Sequence, residues 1–474
     1  MLSKILKYTY LLIVFAVAFL MQGCNSAEKN GSDKPNIIVL LIDDAGYADF
    51  GFNGSMDLKT PNIDKLADNG VIFTDGHVTA SVCGPSRAGL ITGRYQQRFG
   101  FECNPSSDFT GLDLNEKTIA EELKVAGYKT AAFGKWHLGD DPEYRPNARG
   151  FDYFWGFLSG GRHYFPNEQN DQEGDTHAIL ENGNFTTFEG YLTDRLGDKA
   201  VEFIDKNKEE PFFIYWAPNA VHTPMEAKDE DLDLFEEHPR QTLAAMTWAL
   251  DRAVGSIVKK LEEDNLLENT LIFFLSDNGG AHNNQSSNLP LKGYKGNKYE
   301  GGHRVPFFMH WPKQIDTNKR FNGLSSSLDI FTTSIAAAGI EISENNKYDG
   351  VDLLPFIKDI AEGEPHDQLY WRKDKMAAAR DGDYKLIRVV DLGSRMYDLE
   401  KNLGETEDLI PSEPDKYNSL NSKLEMWEEE LMAPLWTEGK AWDEVTWMVH
   451  EDYFLNREVR VKNPSQLKNL KENK

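Results

Sequence analysis

Four apolar runs of strand length, each ending in polar residues, constrain this chain more than any other feature. They occupy 36–42 (Asn-Ile-Ile-Val-Leu-Leu-Ile), 130–133, 212–216 and 271–275. Each is nearly continuous in apolar character, the pattern of a strand covered on both faces; a strand with one wet face alternates. Segments of helical periodicity lie between them: 62–67, 118–126 closing at Gly127, and 242–261, where Leu243, Met246, Leu250, Val254, Ile257 and Leu261 share a face. The sum predicts an α/β domain around a mostly parallel central sheet flanked by helices. In such sheets ligands gather beyond the carboxyl ends of the strands. Those ends carry Asp43-Asp44, Lys135-Trp136-His137, His222 shortly after Asn219, and Asp277-Asn278. A glycine-rich segment, 295–302, could fold over the same rim.

After about residue 365 the pattern changes to short strand-like pieces, 376–379, 384–390 and 395–399, with Gly and Asp turn signals between them. They predict a small C-terminal antiparallel sheet, with an amphipathic segment at 417–431 packed on it. The expected division is therefore 35–365 for the main domain and 366–474 for an α+β subdomain. At the other end, Lys4 and Lys7 precede an apolar run over 10–21, shorter than the ~20 residues that span a bilayer. Gln22-Gly23-Cys24 follows. This reads as a signal peptide over 1–23, a suspected lipid-bearing Cys24 and a polar tether over 24–34. The expectation is export to the periplasm, or to the outer membrane or cell surface as a lipoprotein whose only membrane contact is that anchor; a plain signal peptide is the alternative. With 77 acidic and 51 basic residues the formal charge is -26, which argues against nucleic acid or an anionic membrane surface as a partner. A polyanionic substrate would have to be met by local cations.

Chemistry concentrates in Cys83-Gly84-Pro85-Ser86-Arg87, continued by Ala88-Gly89-Leu90-Ile91-Thr92-Gly93-Arg94. Pro85 suits a first helical turn, which places Cys83 where unpaired N–H groups and the helix dipole favour an anion, with Arg87 one turn further on. Asp43, Asp44, Asp277 and Asn278 are hard oxygen donors suited to Ca²⁺, with Mg²⁺ as second choice. In Gly134-Lys135-Trp136-His137-Leu138-Gly139 an extended backbone points Lys135 and His137 the same way.

The Cys83 to Arg94 stretch and the Gly134 to Gly139 hexapeptide resemble the two signatures of the type I, formylglycine-dependent sulfatases, and Tyr299 to Pro306 fits the same pattern. The likeness runs over roughly 34–409. It implies an alkaline-phosphatase-like fold and a sulfuric ester hydrolase acting on a sulfated carbohydrate, such as ulvan, carrageenan or a glycosaminoglycan. It also implies that a formylglycine-generating maturation enzyme oxidises Cys83, and that Asp43, Asp44, Asp277, Asn278 and the modified Cys83 hold the divalent ion. In the implied reaction the formylglycine hydrate attacks sulfur while Arg87, Lys135 and Lys295 neutralise the sulfuryl oxygens. His222 or Lys295 then protonates the leaving oxygen, and His137 takes the proton that lets sulfate depart. With Cys24 and Cys83 so used, Cys103 has no partner and no disulfide is expected; a Cys83–Cys103 bridge is the alternative. Ser159, Arg162 and His163, in the aromatic and cationic loop 156–164, are candidates for substrate binding, with Arg149, His303, Arg304, Trp371 and Arg372 behind them. Two other functions stay open: a phosphonate or phosphodiester hydrolase of the same superfamily, and an inactive sulfoglycan-binding protein.

Overall fold

In a computed structural model of the chain, residues 34–105, 109–342 and 347–472 are described. The stretch expected to be a signal peptide, the Cys24 position and nearly all of the expected tether lie outside them. Lys34–Lys474 form one compact unit. All four apolar runs are strands, and they are neighbours at the centre of a ten-stranded sheet. In chain order its strands are β1 (Asn36–Ile42), β2 (Val71–Phe73), β3 (Lys129–Lys135), β4 (Tyr153–Phe157), β5 (Leu180–Glu181), β6 (Asn184–Phe185), β7 (Phe212–Ala217), β8 (Thr270–Ser276), β9 (Phe307–His310) and β10 (Lys319–Phe321). The spatial order is β10-β2-β9-β8-β1-β7-β3-β4-β5-β6. From β8 through β4 every pairing is parallel, whereas β9, β5 and β6 add antiparallel edges.

Burial explains the unbroken apolar runs. Along β1, Ile38, Leu40 and Ile42 face one core layer and Ile37, Val39 and Leu41 the other, all at most 1% exposed. Helices α1 (Pro61–Asp68), α4 (Leu192–Asn207) and α5 (Gln241–Glu263) cover the first face. The second is covered by α2 (Cys83–Thr92), α3 (Ile119–Val125) and α6 (Asp329–Ala337). Each buried Ile, Leu or Phe contributes roughly 1.5–3 kcal/mol, so the three-layer stack supplies a rigid frame for the strand ends. The start of α3 carries a capping box, in which Glu121 N–H donates to Thr118 Oγ1 at 3.1 Å and Thr118 N–H to Glu121 Oε2 at 2.8 Å.

The C-terminal sheet is antiparallel as expected but has four strands, β11 (Gln368–Lys373), β12 (Met376–Asp381), β13 (Tyr384–Val389) and β14 (Gly393–Asp398). The first was not expected because its Tyr, Trp, Arg and Lys residues hide its alternation. Helix α7 (Pro414–Glu429) packs on this sheet through Leu420, Leu424 and Trp427. Beyond it the chain forms two further helices, α8 (Lys440–Phe454) and α9 (Pro464–Glu472).

Candidate active site

The parallel register brings the site together. Ile42 is paired with Ser276, so the residues that follow, Asp43 and Asp277, emerge side by side. Strand β3 ends at Lys135 two places away, beyond β7. The β1 end is locked by loops from its neighbours: Asp43 N–H donates to Ala220 O at 3.0 Å, and Val221 N–H donates back to Asp43 O at 2.8 Å. Asn284 and Ser286 side chains both donate to Asp44 O at 3.0 Å. Asp44 and His137 each hold a left-handed backbone with φ of 63°, a conformation that short polar residues tolerate at a cost and that framework contacts must sustain. At Gly134, φ is 96° and a Cβ would lie 2.3 Å from Ala217 O; only glycine lets β3 turn its last residues into the cluster.

Cys83 opens α2, as the sequence indicates, and is 2% exposed. Its Sγ lies 3.5 Å from Asp43 Oδ1 and 4.0 Å from Asp44 Oδ1. Lys295 Nζ donates to Asp44 Oδ2 at 2.9 Å and to Cys83 Sγ at 3.2 Å. Lys135 Nζ donates to Asp43 Oδ2 at 2.6 Å, and Arg87 Nε donates to Asp277 Oδ2 at 2.9 Å. Asn278 Nδ2 donates to Asp44 Oδ1 at 2.8 Å. His222 Nε2 stands 3.6 Å from Asp44 Oδ2, and its Nδ1–H donates to Thr223 O at 2.6 Å, which leaves Nε2 toward the cluster. His137 is buried with Nδ1 unpartnered, and Gly160 lies against it, since a Cβ there would be 2.9 Å from His137 Nε2. Cys83 and Cys103 are both free thiols.

Three acids and three fixed cations thus share a nearly dry floor, and their mutual effects are large. Burial works to raise the Asp43 carboxyl, but Lys135, His222, Arg87 and Lys295 outweigh it and hold it far below the carboxylate range. Asp277 goes the other way, to about 6, because burial is joined by repulsion from Asp43. Burial and Asp277 push the Cys83 thiol up to about 12, so as a plain cysteine it is a poor nucleophile. Burial, then Lys135 and Arg87, holds His137 well below the usual imidazole range.

The donor set fits a hard divalent cation. One ligand atom each from Asp43, Asp44, Cys83 and His222 falls within 4.8 Å of the others, and Asn278 Oδ1 is buried without a hydrogen-bond partner. An orphaned amide oxygen beside crowded carboxylates is what a cation would satisfy.

The three substrate-binding candidates fare differently. Loop 156–164 reaches the rim, with Gly160 against His137 and Gly161 against His222. Ser159 Oγ braces it by donating to Gly161 O at 3.0 Å. His163 is half-buried at the surface, its Nδ1 2.6 Å from Glu226 Oε1. Arg162 is not available to a ligand: its side chain is fully buried, donating to Asp171 Oδ1 at 2.8 Å and His177 O at 2.7 Å, so it shapes the loop. The secondary candidates are likewise spent within the protein. Arg149 donates to Leu112 O and Glu116 O, His303 stacks on Trp371, Arg304 donates to Thr74 O, and Arg372 pairs with Glu102. Sequence reasoning missed Asn104, whose Oδ1 accepts from Gly84 N–H at 3.0 Å and so occupies the amide next to Cys83. It also missed Tyr164, whose hydroxyl lies within hydrogen-bond distance of Asn219 O and His222 O. Neither carries a spacing signal.

Fold and site together define an α/β protein with a buried cluster of carboxylates and cations at the strand ends, suited to a divalent cation and an anionic group. The family pattern described as "Sulfatase" matches residues 35–340, and that described as "N-sulphoglucosamine sulphohydrolase, C-terminal" matches 294–433. The chain belongs to the sulfatase family and is a sulfuric ester hydrolase. It is similar to "Uncharacterized sulfatase YdeN" of Escherichia coli (strain K12), 34% identical over 403 residues, covering 73% of this chain and 70% of that one. It is 33% identical over 377 residues to the N-acetylgalactosamine-6-sulfatase of Homo sapiens, covering 74% and 71%. Among solved structures, Ps i-CgsB in complex with k-i-k-neocarrahexaose superposes with a TM-score of 0.81 and 38% identity over 89% of this chain and 99% of that one.

Proposed function

We propose that this sulfatase removes sulfate esters from a sulfated carbohydrate, with Cys83 converted to formylglycine and a divalent cation held by Asp43, Asp44, Asp277 and Asn278. One observation carries the reading: Cys83 Sγ, at the start of α2, sits 3.5 Å from Asp43 Oδ1 and 3.2 Å from Lys295 Nζ, between carboxylates suited to a divalent cation and an ammonium suited to a sulfuryl oxygen. Formylglycine, when formed, supplies a hydrate oxygen as nucleophile, and the cation supplies Lewis acidity and takes over neutralisation of the carboxylates.

The rest falls to residues of this chain. Arg87, anchored on Asp277 and on Lys135 O at 2.8 Å, fixes the helix start against the strand ends. Lys135 and Lys295 bring ammonium charge to the sulfuryl oxygens, where preorganised cations in a water-poor pocket act most strongly. His222, its Nδ1–H tied to Thr223 O, presents Nε2 for proton transfer at the leaving oxygen. His137, held neutral by burial and by Lys135, keeps a nitrogen able to accept a proton. The carbohydrate class draws support from the relative that is an N-acetylgalactosamine-6-sulfatase and from the neighbour crystallised with a neocarrahexaose.

The test pairs peptide mass spectrometry across Cys83 with sulfate release from sulfated oligosaccharides. Expression in a host able to form formylglycine should yield an aldehyde-bearing peptide, and Cys83→Ala should abolish turnover. Unmodified thiol in an active preparation, or a preference for matched phosphate esters, would overturn the proposal.

A further inference from the structure

The catalytic floor opens into a cavity of about 710 Å³ with Asp44, His222 and Lys295 at its base. Part of its lining comes from the C-terminal tail: Trp442 and Thr446 on α8, and Lys462, Asn463 and Ser465 around the start of α9. The family matches end at residue 433, so this lining is built from chain that neither pattern describes. It is anchored all the same. Val445, Val449, Val461 and Leu467 form a small core of their own, and Arg460 Nε donates to Asp452 Oδ1 at 2.7 Å just ahead of Lys462.

Charge in the cavity runs against the rest of the chain. Its carboxylates, Asp44 and Glu438, are already paired with Lys295 and Lys373 respectively. Lys462 has no carboxylate within 4.0 Å among the described residues; its Nζ instead lies 2.6 Å from His282 Nε2. Burial and Lys462 together hold that imidazole below its ordinary range, so its neutral ring accepts a hydrogen bond from the ammonium and adds no negative charge. Trp442, 46% exposed, offers an aromatic face in the same cavity. In a chain of formal charge -26, an uncompensated ammonium facing an enclosed cleft favours an anion.

We propose that Lys462, with His282 beside it, forms a second anion subsite that binds a sulfate or carboxylate on the sugar next to the one whose ester is cleaved. The substrate class is then an oligosaccharide charged on adjacent residues. This rests on the carbohydrate sulfatase reading above.

The test uses binding as well as turnover. Cys83→Ala protein, which cannot form the aldehyde, is titrated calorimetrically with hexasaccharides of carrageenan, heparin and hyaluronan, the last carrying carboxylates alone. At least one should bind, with an affinity that falls as salt rises. Adding Lys462→Ala should weaken the tightest binder about tenfold, and Lys462→Arg should restore it. A loss confined to sulfated members assigns sulfate; a loss on hyaluronan assigns carboxylate. In the converted enzyme, Lys462→Ala should raise KM for the oligosaccharide at least about fivefold more than for an aryl sulfate. Binding of no hexasaccharide, affinity within twofold of the parent, or equal losses on both substrates would overturn the subsite. Failure of the underlying reading looks different: converted protein would release no sulfate from any ester, whatever the binding titrations give.

Discussion

Replacing Lys135 with alanine separates the two tasks assigned to the floor. Lys135 Nζ and Asp43 Oδ2 are 2.6 Å apart with both side chains fully buried, and the next cation, Arg87 Nη2, is 3.8 Å from that oxygen. Removing one partner of such a pair leaves an under-compensated buried charge, which costs about 3–5 kcal/mol. At roughly 1 °C per kcal/mol for a chain of this size, melting in the presence of chelator should fall by about 3–5 °C. Calcium changes the expectation. A cation bound at Asp43 and Asp44 replaces the missing ammonium, so saturating Ca²⁺ should recover more than half of the loss. Activity should not recover, because a preorganised charge at the sulfuryl oxygens is worth about 10²–10³-fold in kcat. The assay is differential scanning fluorimetry with and without Ca²⁺, beside sulfate release under the same conditions. An identical melting loss in both, or activity above about a tenth of the parent, would refute the linked assignment of metal-holding to the acids and sulfate-holding to Lys135.

Two other perturbations follow from geometry elsewhere. Gly160→Ala puts a Cβ 2.9 Å from His137 Nε2, so the ring must shift; kcat should drop by about tenfold or more with little change in melting temperature, and unchanged kcat would show that His137 takes no part in turnover. Glu405 and Glu300 share Lys385, whose Nζ lies 2.9 Å from each, and burial first, opposed by Lys385 and joined by repulsion from Glu300, raises the Glu405 carboxyl to about 7. For an acid raised in the fold, the linked stability is present at low pH and lost as pH rises through the folded value. Thermal stability should therefore fall as pH rises from about 4.5 through about 7, by at most about 3 kcal/mol over that whole window, and Glu405→Gln should flatten the fall. A steeper decline in the variant would contradict the shared-lysine account.

What could be read from sequence follows from how local each signal is. The central strands were legible because burial on both faces leaves an unbroken apolar record, and Asp43, Asp44, Lys135, Asp277 and Asn278 were legible because each directly ends or follows such a strand. Short edge strands such as Val71–Phe73 and Lys319–Phe321 carry too few residues for any period to register. Arg162 looked free in sequence because nothing nearby in the chain announces that Asp171 and the His177 carbonyl fold back onto it. Asn104 was invisible for a related reason: its contact with Gly84 depends on a loop returning over 20 residues.

The tail sharpens this contrast between chemistry and selectivity. The reacting groups sit on strand ends and a helix start, where a one-residue shift would break the sheet or misplace Cys83, so their spacing is rigid and reads as motif. The lining opposite them hangs on α8 and α9, held by a few apolar contacts among Val445, Val449, Val461 and Leu467, and can change residue without disturbing the sheet. Lys462 is therefore the kind of position at which a sulfatase can alter its glycan while keeping its reaction. The charge balance supports the same division. With the cations of the floor assigned to the carboxylates and to the sulfate being cleaved, attraction of a second anionic group into a chain of charge -26 falls to cations further out in the cleft, and Lys462 lies there.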